Sequence, residues 1–166
     1  MDKITEKKAN KTNGFIALFI VIGLFALDIF LLVTGIRTGN DSILWFFIPL
    51  VFISFLSFGG FMIVQPNESK VLMLFGNYTG TVRDSGFWWV NPFTVKKHVS
   101  LRIRNFNSEK IKVNDLHGNP IEIAAVIVWR VVDSARAIFD VQNYEQFVAI
   151  QGETAIRTLA SEYPYD

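Results

Sequence analysis

The sequence predicts an α+β protein: an N-terminal transmembrane helical hairpin followed by a small domain of mixed sheet and helix. Two strongly apolar stretches, residues 15–36 and 43–64, stand back to back near the N-terminus and hold a single charged side chain, Asp28. Residues 65–166 then alternate apolar and polar positions in short runs broken by Gly, Pro, Asn and Asp, the pattern of strands and turns. Two segments with helical spacing and side-chain caps follow the strands.

The first element is a basic segment, residues 1–14, with Lys3, Lys7, Lys8 and Lys11. Each apolar stretch is about 22 residues, or about 33 Å of helix at roughly 1.5 Å per residue, enough for a hydrocarbon core of about 30 Å. Residues 37–42 leave room for a short turn only, so the two helices should run antiparallel. Four lysines ahead of the first span against Arg37 in the turn place the N-terminus in the cytoplasm. Two crossings return the tail to that side, giving a multi-pass protein of the cell (inner) membrane. A cleaved signal peptide fits poorly, because the apolar body is long, no Ala-x-Ala site follows it and a second span comes at once. A re-entrant hairpin that dips into one leaflet would put the tail on the same side.

Asp28 lies within the first span, where a carboxylate costs roughly 2.5–3.5 kcal/mol on insertion scales; some fifteen apolar neighbours at about −0.3 to −0.6 kcal/mol each outweigh it. In a hairpin Ser54 reaches comparable depth, so the pair Asp28 and Ser54 is the candidate intramembrane polar site. The alternatives for Asp28 are a proton or ion relay, a contact with an intramembrane partner, or a side chain satisfied by its neighbour helix. No second ionisable group lies in the spans to complete a relay. Pro49 interrupts the second span and should kink it.

Lys70–Phe75 reads as a strand, Gly76-Asn77 as a turn and Thr79–Val82 as the returning strand. The block Gly86–Phe93 then packs four aromatic side chains into eight positions and is followed by Lys96 and Lys97. Such a block either fills a small core or meets the headgroup level of a bilayer, where Trp rings and lysines are favoured. Phe87, Trp88, Trp89, Phe93, Lys96 and Lys97 are therefore the candidate membrane-interface residues, with Trp88 and Trp89 on opposite sides if the segment is extended. Residues 98–103 and 110–114 alternate as half-buried strands, Asp115–Pro120 forms a turn, and Ile121–Val132, apolar on both faces, reads as a long, central, covered strand. Asp133 or Ser134 caps a short helix to Phe139. Asn143 caps a longer one from Tyr144 towards Ser161, with Glu153 and Arg157 paired four residues apart.

From Gln65 onward there are eleven basic and eleven acidic side chains, so no positive field exists to gather phosphates and nucleic acid is excluded as a partner. Cysteine is absent, which removes disulfides, thiolate nucleophiles and zinc–cysteine sites. His98 and His117 are the only histidines, and neither stands in a metal-ligand spacing. No nucleophile elbow, phosphate loop or dinucleotide fingerprint is present. Neither catalytic residues nor a cofactor or metal site is predicted. An ion- or proton-conducting role would rest on Asp28 alone.

In Val64-Gln-Pro-Asn-Glu68, Phe75-Gly-Asn-Tyr-Thr-Gly-Thr81, Gly86-Phe-Trp-Trp-Val-Asn-Pro-Phe93, Val99-Ser-Leu-Arg102, Lys112-Val-Asn-Asp115, Gly118-Asn-Pro-Ile-Glu122 and Val128-Trp-Arg-Val131 the tail resembles the front half of an SPFH domain, also called Band 7, the family of stomatins, prohibitins and flotillins. The resemblance implies an oligomeric, non-catalytic scaffold that organises membrane lipids and partner proteins, with the lipid bilayer and further copies of itself as partners. It also implies an alternative role as a regulatory or caging subunit of a membrane-bound protease. Similar proteins continue past the point reached at Tyr163-Pro-Tyr-Asp166 into the rest of the domain and a coiled coil, so a fragment or a truncated product is expected.

Overall fold

In the computed structural model, which describes residues 5–39 and 41–164, the chain sorts into two units, Lys7–Val99 and residues 100–164 with residues 5–6. In the first unit the order is β1 (Thr12–Asn13), α1 (Gly14–Thr38), α2 (Asp41–Phe58), β2 (Phe61–Val64), β3 (Glu68–Leu74), β4 (Asn77–Val82), β5 (Gly86–Trp89) and β6 (Thr94–Ser100). Asn13 starts α1, its Oδ1 accepting from the Phe15 N–H at 2.9 Å, and Gly39 ends it at φ 61°, a left-handed cap that costs glycine nothing. α1 and α2 pack together, with the Phe25 ring 5.5 Å from those of both Phe55 and Phe58.

The apolar stretch 43–64, expected as one helix, divides. α2 stops at Phe58 with Pro49 inside it, and Phe61–Val64 is strand. Gly59 and Gly60 end the helix in tight turns, their N–H groups donating to Leu56 O and Ser57 O at 3.0 and 3.1 Å. Gly60 is required by crowding, since a Cβ there would run into the Trp89 ring and the Val90 carbonyl. The β-branched pair Ile63 and Val64 then suits the edge that β5 offers.

The basic segment ahead of α1 is a strap on the sheets. Lys8 bridges in parallel to Thr81, with Thr81 N–H donating to Lys7 O at 2.8 Å and Ala9 N–H to Thr81 O at 3.1 Å, while Thr12 and Asn13 pair with Trp89 and Trp88. Gly80, at φ 150°, permits this approach: a Cβ there would lie 2.6 Å from Ala9 Cα. Lys3 lies outside the described residues. The unit holds two three-stranded sheets, ordered β1-β5-β2 and β4-β3-β6. Met62, Val64, Leu72, Val82 and Val90 form the core, with Ala9 and Trp88 packed against it.

The second unit contains β7 (Arg104–Asn107), β8 (Ile111–Asn114), β9 (Pro120–Ile123), β10 (Val126–Trp129), α3 (Ser134–Phe139) and α4 (Tyr144–Glu162). The long strand expected over 121–132 is two short ones with different partners, β9 on β8 and β10 on β7. The break is at Ala125, whose N–H donates to Ser108 Oγ at 2.8 Å and whose carbonyl accepts from Ser108 N–H at 2.9 Å, so one serine bends the chain between hairpins. The strand is not covered on both faces, because Val126 and Val128 are exposed. The strand expected through Ile103 likewise ends at Ser100, leaving Ile103 exposed. Asp133 and Asn143 cap α3 and α4 as their sequence positions predict, and Arg157 donates to Glu153 at 3.0 Å. Arg104 lies over the Trp129 ring and pairs with Glu145, fixing the first turn of α4 to β7 and β10.

Candidate functional site at the helix–sheet junction

β5 organises the junction. Its outer neighbours, β1 and β2, are the residues that lead into α1 and out of α2, and Trp89 faces Thr12 on one side and Phe61 on the other. Strand spacing of about 4.8 Å therefore sets the start of α1 and the exit of α2 only about 10 Å apart on one sheet.

Alternation along β5 sends Phe87 and Trp89 to the opposite face from Trp88. The Phe87 ring stacks on Phe61 at 5.3 Å and meets Phe15 edge-on at 5.4 Å, and Phe61 continues to Phe58 at 6.2 Å, so ring contacts run from the sheet into both helices. Trp89 Nε1 donates to Ser57 O at 2.9 Å, satisfying one of the carbonyls that the end of α2 leaves over. Lys96 Nζ donates to Gly59 O, and to Phe61 O at 3.4 Å. Burial in this position, and then the like charge of Lys70, pushes the Lys96 ammonium below the usual lysine range. Trp88, on the other face, packs against the core and donates from Nε1 to Asp84 O at 2.9 Å.

Lys11 lies 3.6 Å from the centre of the Trp88 ring and binds Asp84; this hydrogen bond, and then the lysine charge, holds the Asp84 carboxyl below the usual carboxylate range. Phe93 and Lys97 are exposed, Phe93 at the tip of a loop and Lys97 on β6. The six candidate interface residues are thus divided: Phe87, Trp89 and Lys96 at the helix ends, Trp88 on the core side, Phe93 and Lys97 at the surface.

Within the helix pair Ser54 Oγ donates to Asp28 Oδ2 at 2.8 Å, and both residues are buried, Asp28 at 3% exposure and Ser54 at 0%. Asp28 Oδ1 is also buried and finds no hydrogen-bond partner among the described residues. α1, at 25 residues, is long and apolar enough to cross a membrane by length and composition, whereas the described apolar part of α2, Trp45–Phe58, is shorter.

Lys11, Asp84, Phe15 and Phe61 belong to this junction and were not among the residues expected there. Asn13 before an apolar run is a readable cap signal, but nothing in the sequence links Lys11 to an aspartate 73 positions away. Among the described residues no group of three or more His, Cys, Asp or Glu gathers as a metal would need. What the junction supplies is aromatic surface, ammonium groups and satisfied helix-end carbonyls, the chemistry of holding a helix pair to a sheet.

Residues 62–166 match the SPFH domain / Band 7 family. No curated protein matches the chain.

Proposed function

We propose, since the chain belongs to the SPFH domain / Band 7 family, a family generally associated with membrane scaffolds, that it is a membrane-anchored, non-catalytic scaffold subunit. In this reading α1 and α2 both cross the bilayer as an antiparallel pair, and copies of the chain associate on the cytoplasmic face of the cell membrane to organise lipids and partner proteins. The observation that carries it is the pairing of β1 and β2 with the same strand, β5, because a chain whose helix start and helix exit share one sheet must return to the side from which it left. The lysines of the strap against the single Arg37 beyond α1 favour the cytoplasm as that side. Phe93, Lys96 and Lys97, with the Phe87 and Trp89 rings at the helix ends, then lie at headgroup level, where aromatic and cationic side chains are most stable.

Alkaline carbonate treatment and limited proteolysis of sealed vesicles test the reading. The chain should stay in the membrane pellet, and residues beyond 65 should be digested only when protease reaches the cytoplasmic face. Release into the supernatant, or digestion from the outer face alone, would overturn it.

A further inference from the structure

The turn between β3 and β4 puts an aromatic residue where the backbone disfavours one. Leu74 and Asn77 pair across it, and the two residues between them, Phe75 at φ 48° and Gly76 at φ 87°, are both left-handed. Hairpin turns of this two-residue form ordinarily take Asn-Gly or Gly-Gly, because a bulky side chain at positive φ meets its own backbone. Burial does not offset this, since Phe75 is 81% exposed. Its ring stands 6.1 Å from that of Phe93, itself 52% exposed, so two loops raise their aromatic side chains into one outward patch.

Both loops lie beside the end of α2. Val90 N–H donates to Gly60 O at 3.0 Å, Lys96 Nζ donates to Gly59 O, and a Cβ on Gly59 would come 3.4 Å from Pro92 Cβ, so the chain leading to Phe93 is bound to the glycine turn at which α2 stops. The Phe93 loop is itself closed by Asn91, whose Oδ1 accepts from Phe93 N–H at 3.0 Å and whose carbonyl accepts from Thr94 N–H at 3.1 Å and Thr94 Oγ1 at 2.6 Å. β2 leaves the glycine turn, Gln65 to Glu68 reverse the chain with Glu68 N–H on Gln65 O at 3.2 Å, and β3 runs back, 7 residues against the 4 of β2, to bring Phe75 to the level of α2's end. The aromatic patch is therefore continuous with the exit of the helix pair, and the exposed Lys97 follows close behind Phe93.

We infer that Phe75 and Phe93 form a wedge that sinks below the headgroups of the leaflet at which α2 ends, a second attachment of the Lys7–Val99 unit to the bilayer besides its helices. A strained backbone carrying an aromatic ring into water gains nothing, whereas the same ring among acyl chains is removed from water, and a loop already fixed by its own hydrogen bonds loses little freedom when it enters. The inference rests on the reading that α1 and α2 are in the bilayer.

The test uses the full chain, which contains no cysteine, as Phe75→Cys and Phe93→Cys variants, each labelled with a polarity-sensitive nitrobenzoxadiazole fluorophore and reconstituted into phosphatidylcholine vesicles. Only variants whose circular dichroism matches that of the unsubstituted chain are compared, and either site alone reads the depth of the patch. Emission should shift to the blue and be quenched by phosphatidylcholine that carries a nitroxide high on its acyl chain. The same label at Gln65→Cys, in the exposed turn at the far end of β3, should show neither effect. Emission from the patch equal to that of the Gln65→Cys label overturns the inference. A blue shift without quenching by the nitroxide lipid also overturns it, because the rings are then covered by a second copy of the chain or another protein. A carbonate-resistant chain with unquenched labels sinks this inference alone; a chain released by carbonate sinks the anchoring with it.

Discussion

The Asp28 carboxyl sets the chemistry of the helix pair at the residue scale. Its Oδ2 takes the Ser54 hydroxyl at 2.8 Å in a place without access to solvent, so the serine is the group that keeps an otherwise costly side chain tolerable. Ser54→Ala should therefore destabilise the reconstituted chain by about 0.6–1.7 kcal/mol in a detergent-unfolding titration, the range of intramembrane side-chain hydrogen bonds, and no measurable change would contradict the role. This pair was readable in the sequence because antiparallel helices joined by a short turn fix relative depth from residue counting alone. The Lys11–Asp84 contact was not, since its two residues are brought together by the fold of the strap and by no local pattern.

Among the elements, those with local rules were legible and those set by partner exchange were not. α3 and α4 follow from caps and spacing, and the hairpin of β3 and β4 from its Gly-Asn turn. The alternation of β8 likewise shows in its sequence. The unbroken apolar run over 121–132 concealed a break, because the switch from β8 to β7 is made by Ser108, outside the run. The apolar stretch 43–64 concealed another: composition does not register that Phe61–Val64 is claimed by the edge of β5. The strap is the third case, held by backbone hydrogen bonds at Thr81 and by the missing side chain of Gly80. Gly80→Val should push the strap off, and with two backbone bonds lost, amide exchange at Ala9 and Thr81 should accelerate by about tenfold to a hundredfold. Unchanged protection there would show that the strap does not depend on this approach.

In the whole molecule one strand, β5, ties both ends of an apolar helix pair to the SPFH domain; the proposed anchoring follows from it, with both ends on one side of the membrane. The ring contacts from Phe15 through Phe87, Phe61 and Phe58 to Phe25 and Phe55 extend that tie into the helices, which gives the helix pair a set orientation against its own sheet. Since the chain contains no cysteine, single-cysteine variants report topology without background. The most direct measurement is labelling of Thr38→Cys and Asn10→Cys by a membrane-impermeant maleimide on right-side-out vesicles. Two full crossings predict that Thr38→Cys is labelled from outside and Asn10→Cys only after the membrane is opened. Labelling of both from outside, or of Thr38→Cys only after opening, would contradict the crossing of the bilayer by this pair.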